Sequence, residues 1–471
     1  KLRSNGVEGK LLDLIESFLC ERYQRVVLNG QSSCWLRIKA GVPQGSILGP
    51  LLFLIYINDI SNNLESNVKL FADDTSLFSI VFDKNLSSRT LNNDLIKIQQ
   101  WAYQWKMNFN PDASKQAQEV IFSRKTNKPQ HPDLLFNQSQ VQRSDAQKHL
   151  GVILDNKLNF NQHVKCAMDK TIKGINVLRK LRYYVPRDCL IRIYKTFIRS
   201  QLDYADIIYD QPSNMSFCDK LESIQYNSAL AITGAIRGTS KDKLYKELGL
   251  ESLSSRRWFK RLCQFYKIIH GKTPEYLYSI IRKSNHSHNT RHQYRIPQYF
   301  CRTNYFQNSF FPYTISEWNK LDPAIVLTDS INIFKKSLLK TVRPIPNSLF
   351  DACDPLGIQL LTRLRVGLSH LRDHKFKHGF QDTINPLCQC NMETESVSHF
   401  FLRCLFYTNE RLSLIDELLL IVPSILVLNE NHLIELLLYG KKDYSNEINT
   451  QIINLSIKYI IETKRFDIPL L

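Results

Sequence analysis

The chain has 471 residues, enough for two to four domains with cores of their own. A composition of 43% hydrophobic and 23% charged residues excludes general disorder. The longest apolar stretch, Ile47 to Ile57, falls short of the about 20 residues that a bilayer span needs, so no membrane association is expected. A net charge of +18 points to a polyanionic partner. The charge is clustered: Lys165 to Arg199 holds ten Lys/Arg against two acids, and Arg256 to Lys283 holds eight against one. Solvated helix faces account for dispersed charge but poorly for such clusters, which favour nucleic acid, and both stretches are expected to carry the affinity. An odd count of eleven cysteines and an opening Lys1-Leu2-Arg3-Ser4 without an apolar signal core suggest a reducing, intracellular compartment, cytoplasmic or nuclear. Residue 1 is not Met and helical patterning starts at once, which suggests a fragment.

Leu11, Leu12, Ile15, Phe18 and Leu19 recur at helical spacing and predict an amphipathic helix over 8–22. Val26-Val27-Leu28, Asn29-Gly30 and Trp35-Leu36-Arg37-Ile38 read as a hairpin, with a longer loop through Ser32-Ser33 as an option. Residues 41–45 form a loop that opens a buried helix over 46–57. A hairpin follows at 68–79, and Leu91, Leu95, Ile98, Ala102 and Trp105 mark a helix over 88–106. Glu119–Ser123 and Leu150–Leu154 read as short strands. Beyond about residue 160 the pattern turns helical, with helices at Ala167–Tyr184, Arg187–Ile207, Cys218–Ile232 and Ser255–Ile269. Ser284–Gln298 reads as a linker whose His286, His288 and His292 converge with nothing. Cys20, Cys34, Cys166, Cys189 and Cys263 sit among apolar neighbours and read as core. The fold class is α+β, divided as 1–160, 161–283, 284–349 and 350–471.

Phe71-Ala72-Asp73-Asp74 lies between two apolar runs, which puts two carboxylates at a hairpin tip. Adjacent aspartates are common turn residues. On a rigid turn they also suit hard divalent cations, which take oxygen ligands beside phosphates. Thirty positions earlier, Gly41-Val42-Pro43-Gln44-Gly45-Ser46 joins two glycines that admit a ligand close to backbone with a stiffening proline, and Gln44 offers an amide. Cys388, Cys390, His399 and Cys404 have spacing compatible with tetrahedral zinc, although the single-residue gap between the first two is tighter than usual. Spacing alone leaves zinc and a set of buried thiols both open.

Residues 41–53, Gly41 to Phe53, together with Phe71-Ala72-Asp73-Asp74, resemble the reverse transcriptases of non-LTR (LINE-type) retrotransposons. Leu91 to Trp105 with Asn110-Pro111 and Ser114-Lys115 is similar to the next palm motif, and His149-Leu150-Gly151-Val152 to the primer-grip hairpin. The similarity continues through Gln201-Leu202-Asp203-Tyr204 and the run from His270 to Leu277, and the tail resembles the Jockey-like group.

The resemblance implies a partial right-hand polymerase palm, a helical thumb and a C-terminal helical region with a Cys/His knuckle. It implies RNA-directed DNA polymerase activity, with an RNA template, a DNA primer or target and deoxynucleoside triphosphates as partners. Asp73 and Asp74 would hold Mg²⁺, or Mn²⁺ in its place; Gly41, Pro43, Gln44, Gly45 and Phe71 would position template and nucleotide. Lys115 would protonate the leaving pyrophosphate, although its polar surroundings equally suit a solvated lysine. Arg179, Lys180, Arg182, Arg192, Lys195 and Arg199 would track the template–primer backbone. Related tails favour zinc at Cys388, Cys390, His399 and Cys404. The family's third aspartate lies on a strand before the first helix, and Glu8, Asp13, Glu16 and Glu21 sit on that helix instead. The chain alone is therefore expected to be inactive. The other readings are a catalytically dead or a domesticated nucleic-acid-binding remnant.

Overall fold

The computed structural model describes residues 1–109, 117–126, 130–281, 295–339, 348–349, 352 and 354–466. The chain divides into two compact units, Lys1–Asn159 and Phe160–Leu471. The first mixes helices with short hairpins; the second is helical among the described residues, apart from one isolated β-bridge. No helix among the described residues is long and apolar enough to cross a membrane.

In the first unit α1 (Gly9–Leu19) leads into the expected hairpin, which carries two ladders. β2 (Val27–Leu28) pairs with β3 (Gln31–Ser32) around Asn29-Gly30, both at positive φ, while β1 (Tyr23–Gln24) pairs with β4 (Leu36–Arg37). The Asn-Gly turn therefore closes directly on Gln31–Ser32, ahead of the Trp35–Ile38 run. The register shifts by one residue between the ladders, which puts a bulge at Ser33–Trp35. Next comes α2 (Leu48–Ile57), then the antiparallel pair β5 (Asn67–Phe71) and β6 (Asp74–Phe78), then α3 (Lys84–Gln104), N-capped by Asp83. Short strands follow: β7 (Gln118–Glu119), β8 (Leu135–Phe136), β9 (Ser139–Gln140) and β10 (Gln142–Arg143). The unit closes with the hairpin of β11 (Ala146–His149) and β12 (Val152–Asp155).

The expected strand over 119–123 is reduced to Gln118–Glu119, paired in parallel with β10. The expected buried helix is also corrected. Only Gly49, Leu52 and Ile57 of α2 are buried, and Ile47, Leu51 and Leu54 are exposed. The unit's small core of Ile57, Ile60 and Ile98 covers one side of a helix that is apolar all round.

The second unit opens with α4 (Asn161–Leu181). The helix expected over 187–207 runs as α5 (Arg187–Ile193), a π-helical turn over Tyr194–Arg199, and α6 (Ser200–Asp203). It breaks at Ala205, whose φ is +51°, and resumes as α7 (Asp206–Tyr209). α8 (Met215–Thr233), α9 (Lys241–Leu248) and α10 (Leu253–Ile269) follow. Shorter helices come next: α11 (Glu275–Ser279), α12 (Asn304–Gln307), α13 (Phe310–Trp318), α14 (Pro323–Val326) and α15 (Ile331–Leu339). The tail holds α16 (Pro355–Val366), α17 (Arg372–Lys377), α18 (Thr408–Ile421), α19 (Glu430–Tyr439) and α20 (Asn446–Glu462). Three apolar clusters fill this unit, around Leu178/Leu221, Phe265/Trp318 and Phe400/Ile453. Of the linker expected over 284–298, His286, His288 and His292 lie outside the described residues.

The basic stretch that begins at Arg256 is largely internal. α10 presents Arg256, Arg257, Lys260 and Arg261 on one face, meeting Asp203, Asp206 and Asp210 along α6 and α7. Arg256 reaches Asp203 at 2.7 Å and Glu251 at 2.9 Å; Lys260 reaches Asp206 at 2.7 Å. Arg257 and Arg261, both 2% exposed, grip the two oxygens of Asp210 at 2.9 and 3.0 Å. Burial pushes the Asp203 carboxyl up, but its bonds to Arg256 and Lys260 outweigh this and leave it below the usual range. Asp206 stays above it, because burial dominates there. Removing one partner of such a buried pair strands the other charge, so Asp210→Asn should destabilise the second unit by about 3–5 kcal/mol. Arg192→Gln, which breaks an exposed pair with Asp188, should cost under about 1 kcal/mol. Urea denaturation of both variants tests the contrast; equal losses would place the ladder among ordinary surface pairs.

Candidate active site and nucleic-acid interface

The Asp-Asp turn is built by two strands in tight register. Phe71 pairs with Asp74, leaving Ala72 and Asp73 as the two loop residues, and Ala72 takes φ +51°. A side chain in that left-handed region costs about 1–2 kcal/mol, a strain that glycine would avoid. Leu70 and Leu77 pack on the Ile57/Ile60/Ile98 core, while Phe71, Asp73 and Asp74 stay exposed at the tip. Neither carboxylate is engaged in an ion pair among the described residues. Among the described residues, no third acid or histidine joins them in a metal-binding group.

A residue that the sequence reading passed over fixes the start of β5. Asp94 of α3 is wholly buried and accepts from the backbone N–H groups of Glu65 (3.1 Å) and Ser66 (2.7 Å). Its place on the Leu91–Leu95–Ile98 stripe, where an acid interrupts an apolar face, was the available signal. On the other strand, Ser76 Oγ lies 3.5 Å from His149 Nδ1 at the end of β11.

The Gly41–Ser46 loop is held by different elements. Gly41 and Gly45 both have φ +82°, a conformation that L side chains adopt only under strain. The Gly41 carbonyl accepts from Arg22, and Ser46 Oγ donates to Pro43 O at 2.8 Å and accepts from Gly49 N at 3.0 Å. A Cβ on Gly49 would fall 2.8 Å from Pro43 O, so the loop needs this glycine to fold against α2. Gln44 is exposed. Lys115 lies outside the described residues, as do Asn110, Pro111 and Ser114.

Of the basic residues, Arg179 and Lys180 are exposed on the last turn of α4, Arg179 bonding Asn176 at 3.0 Å. Arg192 and Lys195 are exposed on the next helix. Arg182 is half-buried against the Tyr183 ring. Arg199 turns inward, 3.5 Å from Asp203 at the edge of the charge ladder. Together with the internal Arg256–Arg261 face, this leaves the exposed cations of the two basic stretches, among the described residues, mainly on α4, α5 and the π-helical turn.

In the tail, the ligand atoms of Cys388, Cys390, His399 and Cys404 all lie within 4.8 Å of one another. Cys388 and Cys390 sit in a tight turn closed by Cys388 N to Glu393 O (2.9 Å) and bounded by the Leu387–Thr394 bridge. His399 and Cys404 flank a π-helical turn over His399–Arg403, closed by Cys404 N to His399 O at 2.8 Å. The Cys388 and Cys404 sulfurs are 3.7 Å apart, and Cys390 Sγ is 3.4 Å from His399 Nε2. A tetrahedron with metal–sulfur bonds of about 2.3 Å has S···S edges of roughly 3.8 Å, so the four groups fit a zinc ion. His399 Nδ1 faces Glu393 Oε1 at 3.1 Å, the usual outer partner of a metal-bound imidazole. Burial pushes the Cys388 thiol up to about 12; at Cys390 burial acts the same way, but the Met392 N–H, Cys388 and His399 bring it down to about 7. Two cysteines read as core are not: Cys20 and Cys34 are exposed, because the ends of α1 and the hairpin carry no packing layer over them. Cys263 is buried, and Cys166 and Cys189 are partly so.

Residues 1–154 match the family model described as reverse transcriptase (RNA-dependent DNA polymerase). Among curated relatives, the RNA-directed DNA polymerase from mobile element jockey of Drosophila melanogaster is 28% identical over 233 residues, 47% of this chain and 25% of that protein. Its counterpart in Drosophila funebris is 30% identical over 237 residues, 48% of this chain and 25% of that protein. The probable RNA-directed DNA polymerase from transposon X-element of Drosophila melanogaster is 26% identical over 248 residues, 51% and 27% of the two chains. The chain thus spans about a quarter of the length of the curated relatives it matches. No solved structure matches it. Residues 1–154 thus match the reverse transcriptase family, and the chain is similar to the RNA-directed DNA polymerases of jockey and related mobile elements.

Proposed function

We propose that the chain serves RNA-templated extension of a DNA 3′ end from deoxynucleoside triphosphates. The observation that carries this reading is the presentation of Asp73 and Asp74 at the exposed β5–β6 turn, inside the segment that matches the reverse transcriptase family. The free carboxylates fit hard divalent cations. Magnesium or manganese, when bound, would activate the attacking 3′-oxygen and offset charge on the leaving pyrophosphate. Asp73 and Asp74 supply the anionic oxygens at the turn, and Phe71 flanks them. Gly41 and Gly45 let the loop backbone approach the template and nucleotide, Pro43 stiffens it, and Gln44 offers its exposed amide to a base or sugar. Lys115 donates the proton to the leaving group. The helices over 161–283 form a thumb whose Arg179, Lys180, Arg182, Arg192 and Lys195 follow the template–primer backbone.

In reconstituted protein that includes a strand with a third aspartate, Asp73→Asn or Asp74→Asn should abolish primer extension while leaving RNA binding within a few fold. An amide cannot replace the charge a metal requires. Full extension by both variants would refute the assignment. The isolated chain should bind primed RNA yet add no nucleotide with either metal, since two carboxylates from one turn do not align two ions; Asp74-dependent synthesis by residues 1–471 alone would overturn this. A second reading, a nucleic-acid-binding remnant without polymerase activity, draws on the same lack of a third acid beside the turn among the described residues.

The tail site is proposed to bind a single structural zinc through Cys388, Cys390, His399 and Cys404. All four positions are filled by protein, so no coordination site is left for water chemistry. Elemental analysis of protein purified without chelator should find the metal. The Cys388→Ser/Cys390→Ser pair should lose it and make the region beyond residue 350 more sensitive to protease. Well-folded protein devoid of zinc would return these residues to the role of buried thiols.

A further inference from the structure

One corner of the second unit gathers two arginines that face no carboxylate among the described residues and keep donor atoms without an acceptor. Arg182 caps the C-terminus of α4, directly after exposed Arg179 and Lys180. Beside it stands Arg363 of α16, whose Nε donates to the carbonyl of Gly234 at the end of α8 (2.8 Å). Gly234 makes this approach possible: its φ is +65°, and a Cβ there would fall 2.3 Å from Gln359 Oε1. Gln359 lies one turn before Arg363 and is 3% exposed.

Three buried donor atoms at this corner lack a partner among the described residues: Arg182 Nε, Arg363 Nη1 and Gln359 Nε2. Other buried arginines of the unit, Arg257 and Arg261 among them, also leave a donor atom without a partner, but each of these faces a carboxylate. Arg257 and Arg261 share Asp210, and Arg365 meets Glu247 at 3.0 Å. No carboxylate pairs with Arg182 or Arg363 among the described residues. Burial, and then the charge of Arg182, both disfavour the Arg363 cation, and Arg363 in turn helps hold His370 below its usual range after burial itself. Each unmade buried hydrogen bond costs about 1–3 kcal/mol, and two unneutralised guanidinium groups add repulsion. An oxyanion with several acceptor oxygens relieves both, and the guanidinium fork matches phosphate geometry.

We propose that Arg182 and Arg363 form a clamp for one backbone phosphate of the bound nucleic acid, so that the tail helix α16 shares the interface with α4. This rests on the nucleic-acid reading above and extends it to a residue far from the basic stretches in sequence. Arg182 stands where a strand tracking Arg179 and Lys180 would arrive.

The test uses the full chain, with labelled primed RNA titrated over a salt series, and thermal unfolding with and without inorganic phosphate. Arg363→Gln and Arg182→Gln should each weaken RNA binding roughly tenfold. Each should also lower the slope of log K against log salt by about one, since one phosphate contact is lost. The double variant should bind no worse than either single one, because both side chains hold the same phosphate. Arg363→Lys, which keeps the charge without the fork, should retain the salt slope but lose part of the affinity. Arg182→Gln should unfold no earlier than wild type, as it removes a repulsion. Unchanged affinity and slope in well-folded variants would overturn the clamp. If the wild-type chain binds no RNA, the nucleic-acid reading fails, and the phosphate arm decides the rest. Stabilisation by phosphate that Arg363→Gln abolishes would then mark a free-phosphate site and overturn the backbone source, whereas no stabilisation would overturn the site itself.

Discussion

The charge ladder between α10 and the α6–α7 segment organises the second unit. Asp203, Asp206 and Asp210 are spaced so that successive turns face α10, where Arg256, Arg257, Lys260 and Arg261 repeat at the matching interval. Burying these ions has a large desolvation cost, which only near-complete pairing offsets. Helix position is therefore tightly constrained: a slide of α10 by one residue would strand several charges at once. The break at Ala205 serves the same pairing, since it redirects the chain so that Asp206 and Asp210 both face the cations.

This ladder also changes what net charge means for the chain. A run such as Arg256 to Arg261 looks like an electrostatic footprint in a linear reading, yet its acids lie about fifty residues earlier. Local counts cannot register a neutralisation that crosses the fold. Of the two basic stretches, the charge that remains outward among the described residues lies mainly on α4, α5 and the π-helical turn, and the half-buried Arg182–Arg363 corner adds cationic groups from distant parts of the chain. Positive charge useful for binding is thus what remains after the fold has used its own share.

The readable parts of this protein were those in which local chemistry dictates local shape. The Asp-Asp hairpin follows from two apolar runs and a two-residue turn, and the long helices from their 3.6-residue periodicity. The Cys/His group was legible because its ligand types are rare and its spacing short. What escaped depended on distant partners. Asp94 holding the backbone of Glu65 and Ser66, and Asp210 holding two arginines, are single acids whose role needs the fold to be seen. The apolar face of α2 misled for a related reason: hydrophobicity states what a helix prefers to bury, while the described core of the first unit covers only part of it. Cys20 and Cys34 show the same limit, with apolar neighbours in sequence and solvent in space.

The π-helical turn at His399–Arg403 has a consequence for how this tail can vary. Its closing bond from Cys404 N to His399 O fixes the five-residue step between two candidate metal ligands, and it also points Phe400 and Phe401 into the core, against Tyr459. An insertion or deletion there would displace a ligand and an aromatic anchor together. The stretch from Asn391 to Ser398 is tied down as well: Thr394 bridges Leu387, Glu393 meets His399 and Arg403, Glu395 meets Arg465 and the Arg372 N–H, and Val397 packs on the core. Length changes among relatives should therefore spare the interval from His399 to Cys404, where one residue more or less would move a candidate ligand and an aromatic anchor at once.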